Sequence, residues 1–231
     1  MNLITPIKVF RDKGEDFLHR NEKLAEAISL RIPYFPQFMS ADFIERYIAR
    51  ELSPATDPRW RESGATTPEE YELWTWNDCG IACLYMILSK MGKSPAGIVA
   101  LAQEAAAAGA FIVKGDQISP LQYEPFCTWV KAKFGVQATA VYALSLSRIK
   151  RELSQGNFVI VSVHPEIRRP ETVPPSRGGH LVLMTGYDDK RGGCTLHNPS
   201  GFQSNNSQAN AFVTYDQFKN FFAGRGVVIK K

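Results

Sequence analysis

Two hydrophobic periods divide the chain, and the switch between them falls near Gly135. In residues 15–30, "EDFLHRNEKLAEAISL", the positions Phe17, Leu18, Leu24, Ala27, Ile28 and Leu30 recur near helical spacing and predict an amphipathic helix. "RIPYFPQF" follows, and its two prolines predict extended chain. Residues 40–52 predict a helix that starts at a Ser40 cap and stops before Pro54. Residues 53–73, rich in turn formers and charge, predict a surface excursion. From Ile81 to Leu88 the run is apolar nearly all the way round, which predicts a helix buried on most sides, with Gly92 as its stop. Two further helices are predicted over 95–108 and 119–134. After Gly135, "VQATAVYA", "NFVIVSVH", "HLVLMTGYDD", "GCTLHN" and "RGVVIKK" predict strands, and "SLSRIKRELSQG" and "TYDQFKNFFAG" predict helices. "GFQSNNSQANAF" predicts a flexible polar loop. Helices first and a mostly antiparallel sheet second is an α+β order.

Composition narrows the function classes. The 231 residues, 44% hydrophobic and 22% charged, suit one domain with a decorated core or one domain plus a small extension. The net charge of +4 is mild and forms no basic stripe, so nucleic acid is not an expected partner. No apolar run approaches the ~20 residues that span a bilayer, and "MNLITPIKVFRDKGED" lacks the apolar core of a signal peptide. No membrane partner is expected, and the expected location is cytoplasmic, with export by another route left open. The four cysteines, Cys79, Cys83, Cys127 and Cys194, form no C-x-x-C pair and are expected to be reduced. Cys83, Cys127 and Cys194 fall in apolar patterns as small core residues. A metal site from Cys79, Cys83 and His180 would lack a second ligand pair, so neither metal nor cofactor is expected.

Cys79 stands where polar residues give way to the buried helix. Asn77 and Asp78 are residue types that cap a helix by accepting from its first free N–H groups. With Asp78 as cap, Cys79 occupies the first helical position, where the dipole and unpaired N–H groups favour thiolate and can hold an oxyanion. Gly80 leaves room for another chain to approach the sulfur. The competing reading is a buried thiol like Cys83. A nucleophilic thiolate needs a general base, and the base a third group to hold its tautomer. Of four histidines, His180 opens "GGHLVLMTGYD" at the mouth of a central strand. Asn198, at the end of the next strand, would lie beside it if the two strands pair through "DDKRGG"; its alternative role is a turn residue in "NPSG". His197 should face the other side of its strand. His164, before Pro165, and His19, on the N-terminal helix, read as surface residues.

"NDCGIACLYMIL", "GNFVIVSV", "GGHLVLMTGYD" and "LHNPSG" occur in the order and spacing of papain-like cysteine peptidases. The chain resembles in particular the bacterial bacteriocin-processing (double-glycine leader) type and its free-standing relatives, with "RIPYFPQ" similar to the segment many of these carry before the nucleophile. The resemblance spans roughly residues 32–231, with a surface insertion at about 38–73, and leaves residues 1–31 as an N-terminal helical extension. It implies a papain-like fold with a nucleophile helix packed on the sheet. It also implies Cys79 as nucleophile, His180 as general base and acid, and Asn198 as the residue orienting the imidazole. Many relatives have Asp at that last position; either type accepts the imidazole N–H. The family's oxyanion Gln, about six residues before the nucleophile, is replaced here by Leu73. Gln37 is the preferred substitute and Asn77 its rival.

The loop "PEIRRPETVPPSRGG", residues 165–179, leads into His180 and is mildly basic through Arg168, Arg169 and Arg177. It is read either as a cleft wall favouring an acidic or C-terminal carboxylate group, with Gly179 at the substrate, or as a solvated loop. "YELWTW" is the opposite wall or part of the core, with Trp76 as the candidate substrate contact. Three functions follow. The first is a cysteine peptidase acting on a peptide or protein through a thioester acyl-enzyme. The second is an acyltransferase or transpeptidase using the same three residues. The third is a catalytically silent peptide-binding module.

Overall fold

The computed structural model of the chain describes residues 4–19, 21–93 and 95–231. The first half carries α1 (Ile4–Leu18), β1 (Ala27–Ser29), α2 (Ile44–Ile48), α3 (Pro68–Thr75), α4 (Cys79–Lys90), α5 (Ile98–Ala107), the hairpin β2 (Val113–Lys114) and β3 (Gln117–Ile118), and α6 (Tyr123–Phe134). The second half carries β4 (Ala138–Val141), α7 (Leu146–Ser154), β5 (Phe158–Val163), β6 (His180–Asp188), β7 (Gly193–His197), β8 (Ala211–Thr214), α8 (Tyr215–Phe221) and β9 (Phe222–Ile229). The strands form an antiparallel sheet in the order β4–β9–β5–β6–β7–β8, and β1 pairs with the far end of β6. This is the expected α+β architecture, with the nucleophile helix of the resemblance, α4, laid across the sheet.

Strand alternation explains why β5 and β6 are apolar at nearly every position. Ile160, Leu181 and Leu183 face the cluster of α4, α5 and α6, while Val159, Val161, Val182 and Met184 face α7 and α8. Both faces of the sheet are therefore covered, and α4 is buried almost all round, with Ile81, Leu84, Ile87 and Leu88 fully enclosed.

Four local expectations are corrected. The helix predicted over 15–30 is instead α1 followed by turn and by β1; Ile28 and Leu30 pack on the sheet from an extended chain. Ile28 and Leu30 are two apart, which is the strand period, and pairing with β6 holds them so. Ser40 does not cap its helix: its hydroxyl donates to Asp57 (2.6 Å), as its backbone N–H does (2.9 Å). Residues 53–73, expected only as a surface excursion, contain two short 3-10 turns and most of α3. Buried Asp57 also accepts from the Tyr71 hydroxyl (2.9 Å), tying these turns to α3. The predicted flexible loop ends in β8 and is fastened by Ser207 and Gln208, both buried.

Helix α1 is turned inside out. Its polar face points inward, where fully buried Asp12 accepts from the backbone N–H groups of Tyr142 (2.7 Å) and Ala143 (3.3 Å). Glu15 pairs with Arg148 at 2.7 Å and Asp16 with Arg151 at 3.6 Å. Ile7, Phe10, Phe17 and Leu18 are left exposed.

Candidate active site

The site lies where the start of α4 meets the start of β6. Thr75 ends α3, and Asn77 folds its side-chain amide back onto the Leu73 carbonyl (2.9 Å). Asp78 occupies the N-cap position of α4 but makes no capping hydrogen bond, contrary to the sequence expectation. Its carboxyl is fully buried and neither oxygen has a hydrogen-bond partner, so desolvation holds its pKa well above the usual carboxylate range. The first N–H groups of α4 thus remain free of side-chain caps. Cys79 follows as the first residue of the helix, and Gly80 keeps the space beside it open: a Cβ there would come within 2.8 Å of both Leu121 and Leu181.

Cys79 and His180 line one cavity of about 420 Å³. His180 Nε2 lies 2.8 Å from Asn198 Oδ1. The Ser200 backbone N–H donates to the same oxygen at 3.1 Å, which fixes the amide with its oxygen toward the ring. The neutral imidazole therefore carries its proton on Nε2 and keeps the basic lone pair on Nδ1. Ser200 Oγ sits 3.3 Å from Nε2, and the buried Arg168 donates to that hydroxyl at 3.4 Å. Asn198 is itself held from both sides. Its N–H donates to Gln208 O (2.8 Å) and its carbonyl accepts from the Tyr34 hydroxyl (3.0 Å).

Burial sets the charge state. It pushes the Cys79 thiol up to about 12, with the Leu181 N–H opposing and Asp78 reinforcing. Burial and then Arg168 lower His180 to about 3, with the Asn198 hydrogen bond opposing. At neutral pH the resting pair is uncharged thiol and uncharged imidazole. Desolvation of the half-buried sulfur thus acts against the helix terminus, which favours thiolate. Charge separation is left to the moment of attack.

The model of the Peptidase_C39-like family matches residues 62–225. The chain belongs to the Peptidase_C39-like family. Membership points to a function of the cysteine-peptidase type. The crystal structure of a Bacillus anthracis protein of the C39-like peptidase type shares the fold: TM-score 0.56 and 13% identity, over 90% of this chain and 98% of that one. No curated protein sequence matches the chain.

Against that family background, Asn77, Trp76 and Gly179 all lie on the cavity wall. Gln37 is buried and not among the lining residues; its side-chain N–H donates to Thr75 O (2.7 Å) and its backbone N–H to Pro199 O (3.0 Å). Trp76 is additionally covered by Arg50, whose guanidinium stacks 4.0 Å from the ring centre. Trp74 belongs to the core. His197 faces away, with Nε2 on the Ile32 carbonyl (2.9 Å) and Nδ1 accepting from Asn210 N–H (3.0 Å). His164 caps a 3-10 turn through Glu166 N–H, and His19 pairs with Glu22. Sequence reading missed Ser200, which stood in a turn motif and gave no separate signal. No group of His, Cys, Asp and Glu among the described residues has a metal-binding arrangement. No described helix is long and apolar enough to cross a membrane.

Proposed function

We propose that this chain is a cysteine peptidase whose reaction is carried by Cys79, His180 and Asn198. In this reading residues 32–231 form the peptidase domain, with an insertion at about 38–73 and residues 1–31 as an extension. As the Cys79 sulfur attacks a peptide carbonyl carbon, its proton passes to His180 Nδ1. The negative charge that forms on the carbonyl oxygen is held by the Cys79 backbone N–H and by the second N–H of the Asn77 amide, whose first is on the Leu73 carbonyl, while Gln37 braces Thr75 and Pro199 behind them. The imidazolium then protonates the departing amine as the C–N bond breaks, leaving a thioester. Water attacks the thioester, gives its proton to His180, and the thiol returns as the acid is released. Asn198 accepts the Nε2–H throughout and keeps the ring in one tautomer.

The observation that carries this reading is the 2.8 Å bond from His180 to Asn198 beside a cavity that also holds Cys79 at a helix N-terminus. The test is hydrolysis of a mixed peptide library followed by mass spectrometry, with Cys79→Ala as control. Cleavage lost in the variant is expected, and cleavage that survives it refutes the mechanism. A silent peptide-binding module is favoured by the position of Gln37, buried outside the cavity that holds Cys79. In that case peptides would bind and none would be cut. An acyltransferase would instead return amine adducts when hydroxylamine or a peptide amine competes with water.

A further inference from the structure

We propose that Arg225 and its neighbours form a carboxylate-reading subsite beside Cys79, which selects peptides carrying an acidic group next to the cleaved bond. The proposal rests on the peptidase reading and concerns the substrate of that same site.

The backbone builds the subsite. Strand β9 pairs with β5 at Gly226↔Val161 and again at Phe222↔Val163, so three residues, Ala223 to Arg225, stand opposite Ser162 alone. Such a bulge re-aims a side chain. Gly224 adopts φ +67° at its crest, and its carbonyl accepts from Leu144 N–H at 2.8 Å. Arg225 is thereby directed over Ser162 into the cavity that holds Cys79 and His180. A Cβ built on Gly178 would lie 2.8 Å from Arg225 Nη2 and 3.1 Å from Ser162 Oγ. The guanidinium thus occupies the space left by the first glycine of "GGH", two residues before His180. Gly178 has φ +88°, so glycine is required there for its backbone as well.

Charge completes the argument. Arg225 lines a second cavity of about 490 Å³ together with Arg177 and with Lys219, which is paired with Asp216 at 3.0 Å, so Arg225 and Arg177 supply a cationic track that runs outward from the thiol. No Asp or Glu lines either cavity. Arg225 and Arg177 have no ion pair among the described residues, whereas Arg169 is paired with Glu166, and Arg168 is buried. Ser162, Tyr123 and Arg225 line the same cavity, and Ser162 Oγ and Arg225 Nη2 face the same space beside Gly178, so hydroxyl donors accompany the guanidinium there. An Asp or Glu side chain and a C-terminal carboxylate share the chemistry that fits it.

The test compares cleavage by the wild-type protein of matched peptides with Glu or Gln at each position, and with a free or amidated C-terminus. In parallel, fluorescence polarisation measures binding of the same peptides to the Cys79→Ala protein. We expect about tenfold preference for the acidic member of a pair, as for one hydrogen bond to a charged group at a partly solvated site. The preference should weaken with added salt. In Arg225→Glu it should turn toward Lys-containing peptides, a gain that misfolding cannot imitate. Preference confined to the Glu/Gln pairs identifies a side-chain ligand, and preference confined to the acid/amide pairs a chain terminus. Equal cleavage and equal binding within all pairs, or a preference unchanged in Arg225→Glu, overturns the proposal. If the wild-type protein cuts nothing, the peptidase reading fails, and the binding comparison on Cys79→Ala still decides the role of Arg225.

Discussion

Replacing Asn198 by alanine isolates what the third residue of the site contributes. The Asn198 side chain is fully buried, and its Oδ1 accepts from both His180 Nε2 (2.8 Å) and Ser200 N–H (3.1 Å). Truncation leaves two buried donors without that acceptor, at ~1–3 kcal/mol each. Ser200 Oγ, already 3.3 Å from Nε2, can take over one of them, which leaves the cost of a single orphaned donor, about 1–3 kcal/mol. The effect on rate has a different origin. Without the Oδ1 acceptor, the proton can move to Nδ1 and the ring can turn, so the productive state loses the ~1–2 kcal/mol that had selected it. At 1.36 kcal/mol per tenfold, kcat/KM should fall about 5- to 30-fold. The assay is kcat/KM on a peptide identified from the library, measured at a temperature where circular dichroism shows the variant folded. Asn198→Asp serves as the companion: it keeps the acceptor and adds charge. A carboxylate favours the imidazolium, so His180 should titrate above its value of about 3, and the acid limb of the rate profile should move to higher pH. A folded Asn198→Ala protein with kcat/KM within about twofold of wild type would refute the reasoning, since the hydrogen bond would then orient nothing that matters.

Three further outcomes are expected. His180 is neutral when folded but binds a proton in the unfolded chain below ~6.5, so its contribution to stability is complete above that pH and is lost as pH falls toward 3. Urea midpoints at pH 7 and 4.5 should therefore converge in His180→Gln by about 2–3 kcal/mol relative to wild type. Asp78 is raised instead, so wild-type stability declines as pH rises from the unfolded carboxyl value of ~3.9 toward the folded one. Asp78→Asn should abolish that decline, leaving a variant as stable as wild type at pH 4 and more stable at pH 8; thermal melts at the two pH values check it. Asp12→Ala should cost about 3–5 kcal/mol, because it leaves buried Arg148 short of a partner and orphans the Tyr142 and Ala143 N–H groups. Early proteolytic clipping near α1 would be its signature, and an unchanged melt would show that the inward ion pairs contribute nothing.

Much of the central framework was legible in the residues themselves. Ile81 to Leu88 could form nothing but an enclosed helix, and the continuous apolar runs around Val159 and Val182 had to be strands covered on both faces. The pairing of His180 with Asn198 was also accessible, because two neighbouring antiparallel strands joined by "DDKRGG" place their ends side by side. Where the chain was misjudged, the local pattern was ambiguous or the decisive partner was remote. Ile28 and Leu30 carried the strand spacing inside a run otherwise near helical spacing, and β6 supplied the pairing partner. Ser40 had a cap-like neighbourhood but found Asp57 seventeen residues away. Helix α1 inverts its amphipathic face because Arg148 and Arg151, far along the chain, offer its acids a better partner than water does.

Residue type and spacing thus determined the fold class, the enclosed helix, the sheet strands and the short list of reactive side chains. These depend on the burial of apolar surface at a fixed period, which a sequence displays directly. Only the tertiary structure decided the charge state of Cys79 and His180, the uncapped and partnerless carboxyl of Asp78, and the bulge that carries Arg225 to the cleft. Desolvation and hydrogen bonding depend on which atoms meet across the fold, and a linear pattern does not encode that distance.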